Sequence, residues 1–319
     1  MPHTEYMLSR YLVRFSSAYQ SGVISLLAAT LLCWSTGLCQ SGQSGLTFLK
    51  LGVGGRALAM GEASTAVSTD LSAIYYNPAS AAFFTSSNIL LMHKEWFQDV
   101  KTEYISAQTF LSGVSVGLSI NATSVDNIQI REVPGPALGS FDARNAAIGL
   151  TVAYALDSSL SLGVTGKYLY EKILVDEATG LGIDIGSVYK TPWNFTAGIS
   201  ASNLGSVNEL QNQSSTLPTI WRAGIAYDCG LPQLSGSASL AADYVRYAHD
   251  NISHFNLGAE YTYDRTLSLR AGYQTGYEAR SFTTGIGIHY NAFHVDYAFI
   301  PTTDDLGSTH TFSLGIVLP

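Results

Sequence analysis

Charged side chains are scarce in this 319-residue chain: Asp, Glu, Lys and Arg together make up 13% of it, about half the share of an ordinary soluble domain. Cysteine is scarcer still, with three in all, and Cys229 is the only one after residue 39. That excludes an intramolecular disulfide framework and a cysteine-cluster metal site. The net charge is −8. Without clustered Lys and Arg nothing can neutralise a phosphate backbone, so nucleic acid is not an expected partner. Beyond residue 40 no apolar run reaches the roughly 20 residues that a membrane-crossing helix needs. A mature chain placed in a membrane must therefore close a barrel, because every backbone group in lipid needs an internal partner.

What the chain does have suits that solution. Hydrophobic residues make up 46%, and there are 30 Gly, 19 Tyr and 13 Phe against 9 Pro. A soluble β-sandwich shares this composition, so periodicity has to separate the two. From Ser87 onward, segments of roughly ten residues alternate in hydrophobicity and end in turn residues, the pattern of an outer-membrane barrel. Phe293, Val295, Tyr297 and Phe299 oppose His294, Asp296 and Ala298. Phe255, Leu257, Ala259, Tyr261 and Tyr263 oppose Asn256, Gly258, Glu260 and Thr262. Successive side chains of a pleated strand point to opposite faces, so each segment has one apolar and one small or polar face. About fourteen such segments fit between 87–97 and 308–318, an even number as bacterial barrels require. Short turns are expected near Ser112, Asp157, Pro192, Asp264 and Asn291, and longer loops at 125–143, 205–216 and 301–307.

The first 86 residues do not alternate. Residues 1–39 read as a signal peptide, with Arg10 and Arg14 before an apolar run over 23–34 and Gly37-Leu38-Cys39 at its end. Leu precedes both Cys33 and Cys39, which argues against a lipoprotein, and Met7 serves equally well as a start. Residues 40–86 are rich in small side chains, too polar for lipid and too long for a tail; they are expected to fold inside the lumen as a hatch. Asp70 is expected to cap a short helix over 71–76, which Asn77-Pro78 stops. The remaining residues, 87–319, form the barrel.

Apparent catalytic motifs do not survive their context. Residues 52–57 fit G-x-G-x-x-A, but no βαβ unit surrounds them. Residues 113–117 fit G-x-S-x-G inside an alternating strand, not at a strand-to-helix elbow. His294 and Asp296 share a face and could meet His289 across neighbouring strands as a hydrolase or metal site, yet no Ser is singled out by spacing and lumen-facing polar residues need no catalysis to explain them. With Arg222, Glu260 and Arg270 they are expected to form a lumen polar network that fills the pore or holds the hatch. No enzyme activity, cofactor or metal is expected.

The hatch carries a recognisable series: Gly55-Arg56-Ala57, Met60-Gly61 with Ala63, Asp70, then Tyr75, Tyr76 and Asn77-Pro78-Ala79. Further along are 93–97 (HKEWF), Glu103-Tyr104, Asn203-Leu204-Gly205, Asp296-Tyr297 and 309–315 (THTFSLG). This combination resembles the PorV/PorQ group of the FadL-like outer-membrane proteins. The resemblance implies a fourteen-stranded barrel with the Asn-Pro-Ala hatch in its lumen. It also implies service in a type IX-like secretion system, binding or shuttling secreted cargo beside the translocon. The chain departs from usual barrels in ending Val317-Leu318-Pro319 without a terminal aromatic, which leaves Phe312 or internal strands as assembly cues.

Two functions follow as expectations. In the first, cargo docks on the external loops; Ile130, Arg131, Glu132, Pro134 and Pro136 in 125–143 form the candidate partner-binding loop, because prolines limit the entropy lost on binding. The alternative is a FadL-like channel taking up a hydrophobic small-molecule ligand. Either way the protein is expected in the bacterial outer membrane, with outer-membrane lipids around it.

Overall fold

The computed structural model describes residues 45–318 apart from 68, 97–99, 132, 209–215 and 304–306. The expected signal peptide, the first residues of the hatch, Phe97 and Glu132 therefore lie outside the described residues. The rest forms a closed antiparallel barrel of fourteen strands in sequence order, sealed where the first strand pairs with the last. The strands are β1 (Ser87–Glu95), β2 (Val100–Leu111), β3 (Val114–Ile130), β4 (Gly139–Ala155), β5 (Leu160–Ile173), β6 (Asp176–Lys190) and β7 (Phe195–Val207). They continue as β8 (Ile220–Leu231), β9 (Gly236–Tyr247), β10 (Ile252–Tyr263), β11 (Leu267–Gln274), β12 (Phe282–Tyr290), β13 (Phe293–Pro301) and β14 (Ser308–Leu318). Among the described residues no helix is long and apolar enough to cross a membrane.

Closure removes every sheet edge, and the alternation decides which face meets what. On β10, Phe255 and Leu257 are half exposed on the outer wall, while Asn256 and Gly258 point inward. Outward apolar side chains recur on every strand, Ile105, Leu118, Leu150, Ile225 and Leu269 among them. Tyr189, Trp193, Tyr263 and Tyr290 project at one rim. Connections at that rim are short, as at 112–113, 264–266 and 291–292. By the usual asymmetry of such barrels it is the periplasmic rim.

Two sequence expectations need correction. The long loop 125–143 is mostly strand: β3 runs to Ile130, β4 begins at Gly139, and only 131–138 turns. The register shifts between Val125 and Ile128, with Asn127 at φ 59. This β-bulge adds a residue to one strand and breaks the alternation that would have revealed it. β6 likewise starts at Asp176, so it meets β5 through a tight turn at 174–175.

Because the outer face meets lipid, Leu257→Arg at mid-strand should cost about 2–4 kcal/mol, and Ser253→Arg near the external rim about 1 or less. Denaturant unfolding of barrels folded into vesicles measures both; equal costs would contradict the assigned lipid-facing band.

Candidate functional site: the plugged lumen

Residues 45–86 run through the barrel as a plug. Gly45 donates its N–H to the Thr216 carbonyl (3.0 Å), in the external connection between β7 and β8. A 3-10 turn (Thr47–Lys50) follows, then a short helix α1 (Gly55–Ala59) and a one-turn helix α2 (Ala73–Tyr76). A second 3-10 stretch (Pro78–Phe83) leads to the periplasmic rim, where β1 begins. The expected cap on 71–76 is corrected too: the helix is Ala73–Tyr76, and Asp70 precedes it, accepting the Ser72 N–H at 2.6 Å. Asn77 caps the following 3-10 turn, its Oδ1 accepting from the Ala79 N–H at 3.1 Å, with Pro78 in the first position.

The inner wall is stripped of side chains where the plug passes. Gly163, Gly186, Gly198, Gly224, Gly258, Gly272 and Gly285 form a track along which an added Cβ would lie under 3.0 Å from another atom. At Gly186 the obstacle is the Asn77 amide; at Gly272 it is the backbone of Met60 and Gly61. Gly61 itself has φ +64 and lies against backbone of β10 and β11, a conformation and a spacing that both favour glycine.

Polar wall groups meet the plug's backbone. The Gly55 N–H donates to Ser313 Oγ (2.7 Å), and Thr283 Oγ1 donates to the Ala59 carbonyl (2.9 Å). Gln274 Nε2 donates to the Gly61 carbonyl (3.1 Å), and Ser161 Oγ to the Ala79 carbonyl (3.0 Å). Asp243 Oδ2 accepts the Ser64 and Thr65 N–H groups, each at 2.9 Å. Asn77 Nδ2 reaches the carbonyls of Thr65 and Ser187 at 3.0 Å, tying two parts of the plug to β6.

Charged latches add to this. Arg56 Nε and Nη2 donate to the two oxygens of Glu260 at 2.9 and 2.8 Å. Glu260 also accepts from Arg270, whose Nη1 reaches Asp296 at 2.7 Å. Asp70 approaches Arg56 at 4.0 Å. Arg56 is buried, and Glu260, with Asp70 further off, supplies the opposite charge that pairs it. Nearer the external rim, Arg280 of the β11–β12 connection pairs with Glu62 of the plug at 3.1 Å, and Lys50 pairs with Asp250. Tyr277, also in that connection, stacks on His254 at 3.8 Å between ring centroids.

The structure therefore brings Glu260, Arg270 and Asp296 together around Arg56, a hatch residue, with His289 and His294 lining the same cavity and Arg222 apart from it. Arg222 lies elsewhere, with Nη1 3.5 Å from Ser202 Oγ and its guanidinium over the Tyr76 ring at 5.5 Å. His289 and His294 are cross-strand partners with ring centroids 5.6 Å apart, outside the Arg56 cluster's hydrogen bonds. Met60, Pro78 and Ala79 are buried in the lumen. Of the candidate loop, Ile130 ends β3 opposite Gly139, and Arg131, Pro134 and Pro136 are exposed at the hairpin tip. Asp243, Glu62 and Arg280 carry no signal of their role in the sequence, and Lys94, whose Nζ donates to the Gly52 carbonyl at 3.0 Å, stands out there only as part of 93–97. For Asp243 and Lys94 the inward position on an alternating strand is the available signal.

Beneath the plug, at the periplasmic end, is a cavity of about 420 Å³. Leu71, Phe83, Phe84, Ile89 and Val317 give it an apolar side, facing Arg56, Glu260, Asp296 and the two histidines. Among the described residues there is no cluster of three or more His, Cys, Asp or Glu able to hold a metal.

Comparison with solved structures fits this geometry. The barrel matches the toluene transporter TodX of Pseudomonas putida with a TM-score of 0.62 at 13% identity, covering 83% of this chain and 96% of that one. It matches CymD, a monoaromatic hydrocarbon channel, with a TM-score of 0.59 at 13% identity, covering 86% and 97%. The fold is that of an outer-membrane barrel. Residues 36–180 match UPF0164, an uncharacterised protein family, across the plug and the strands up to β6. No curated protein matches the chain. The PorV/PorQ resemblance stays one of motif, since none of these matches singles that group out.

Removing one partner of a buried ion pair leaves the other uncompensated, so Glu260→Gln should destabilise the folded barrel by about 3–5 kcal/mol. The double change Arg56→Gln with Glu260→Gln should recover part of that loss. Thermal unfolding followed by heat-modifiable gel migration reads both. A double variant no more stable than Glu260→Gln would show that Arg56 is not the group Glu260 holds.

Proposed function

We propose that the protein is a plugged outer-membrane channel that admits a small hydrophobic molecule when the plug shifts. One observation carries this reading: above a cavity with an apolar side, the plug is seated by many hydrogen bonds and ion pairs and by apolar contacts divided among separate clusters, such as Leu58 and Ala59 against Ala298 and Ile300. The polar contacts can be exchanged for water, and among the described residues no continuous apolar core joins the clusters along the plug. The external end of the plug is apolar as well, with Leu46, Phe48 and Leu49 against Leu169 and Leu217. A hydrophobic solute thus finds apolar surface at both ends of a closed middle. The solved barrels of similar fold, a toluene transporter and a monoaromatic hydrocarbon channel, favour the same class of solute.

A reversible lock tests it. In a Cys229→Ser background, Ala59→Cys with Ala298→Cys places two thiols in the buried cluster where α1 packs on β13. Proteoliposomes should take up radiolabelled toluene or oleate when the thiols are reduced and lose that uptake on oxidation. Uptake indifferent to oxidation would remove plug movement from the account, and no uptake of either probe in the reduced state would remove the channel.

A second reading, binding of secreted cargo in a type IX-like system, is favoured by the β3–β4 hairpin. Its tip exposes Val133 (72%) and Leu138 (69%), unusual for a solvated turn. If cargo docks there, Val133→Asp with Ile130→Asp should abolish co-purification of exported proteins and of the translocon while leaving probe uptake intact. Unchanged co-purification would take the hairpin out of that reading.

A further inference from the structure

We propose that the outer wall carries a site for one phosphate-bearing membrane lipid, with its acyl chain in a groove over β5–β9 and its phosphate on Arg246. The proposal rests on the membrane placement of the barrel, not on the channel reading. The groove has a volume of about 610 Å³. Its sides are Leu162, Val164, Ile185, Ile199, Trp221 and Tyr244, all apolar or amphipathic and all projecting from the wall. Its floor is low because Ala201 and Ala223 carry only a methyl group where their neighbours carry large side chains.

A backbone irregularity accompanies the depression. Between Ile183 and Ile185 of β6 the register with β7 shifts, so Ser202 and Asn203 together oppose Asp184. Asn203 takes φ +61 and turns its amide inward, where Lys167 Nζ donates to it at 2.9 Å and its Nδ2 donates to the Pro218 carbonyl at 3.1 Å. A bulge bends its strand, and Ala201 beside it is only 2% exposed despite its outward register with Trp221.

The headgroup end is set by register. Arg246 is the cross-strand partner of Trp221 and of Ser253, so all three share the outer face one step above Tyr244 toward the external rim. Arg246 is exposed and, among the described residues, has no carboxylate partner; its Nη2 is oriented by Asn251 Oδ1 at 2.7 Å. A guanidinium held beside an interfacial Trp, at the head of an apolar groove, matches an ester phosphate with an acyl chain below it. A neutral hydrocarbon would use the groove and ignore the arginine.

Native mass spectrometry of the full chain in a mild detergent tests this, with an equimolar mixture of phosphatidylglycerol and diacylglycerol of identical chains as the probe. Wild type should retain one phosphatidylglycerol in preference to diacylglycerol, by about tenfold or more for a charge-assisted contact. Arg246→Gln should abolish the preference while keeping the chain bound. Ala223→Leu, which fills the groove, should lose retention of both lipids. Ala259→Leu, in the separate outer-wall depression around Leu257 and Tyr273, should behave as wild type. Heat-modifiable migration confirms that each variant is folded. No preference in wild type, a preference that survives Arg246→Gln, or retention unaffected by Ala223→Leu would each overturn the site, leaving only exchangeable annular lipid.

Discussion

A peptide threaded through a barrel must find partners for its own backbone, and this requirement organises the structure. Lipid outside offers none, so the wall closes on itself; inside, the plug's short helices leave many N–H and C=O groups unpaired. The inner wall answers with Ser161, Ser313, Thr283, Gln274 and Asp243, each placed opposite a plug amide or carbonyl. Those hydrogen bonds need close approach, and the glycine track permits it. Small side chains on both surfaces are thus the condition for the polar contacts, which seat the plug together with apolar clusters such as Leu58 and Ala59 against Ala298 and Ile300.

In the proposed channel, the same arrangement lets one segment close the lumen and still shift. Arg56 reaches into the Glu260–Arg270–Asp296 cluster near the periplasmic cavity, while Glu62 and Lys50 bind wall or loop charges nearer the external rim. The plug is therefore held at several heights by ion pairs as well as by separate apolar clusters. The β11–β12 connection, carrying Arg280 and Tyr277, lies across the external part of the plug and couples its position to the loops.

Most of the wall was legible in the sequence because a strand with lipid on one side must alternate. Leu267, Leu269, Ala271 and Tyr273 against Ser268, Arg270, Gly272 and Gln274 admit no other reading. Reading failed where the backbone leaves that rule. The bulge at Asn127 hid the upper halves of β3 and β4, and Asp70 resembled a helix cap while serving the turn before the helix. The plug's residues stood out as non-alternating, but their partners did not. Asp243 lies some 180 positions from Thr65, and nothing local marks a lone carboxylate as the acceptor of two distant amides. Arg222 shows the converse: its inward position was readable, yet which cluster it joined depended on where the plug brought Tyr76.

Hydrogen exchange of the folded barrel in detergent, read by mass spectrometry over 45–86, tests the seated plug most directly. Amides bonded to the wall, those of Gly55, Gly61, Ser64 and Thr65, should exchange as slowly as those of the strands facing them. Exchange across 45–86 at the rate of an unstructured peptide, with the strands still protected, would mean that the segment does not occupy the lumen.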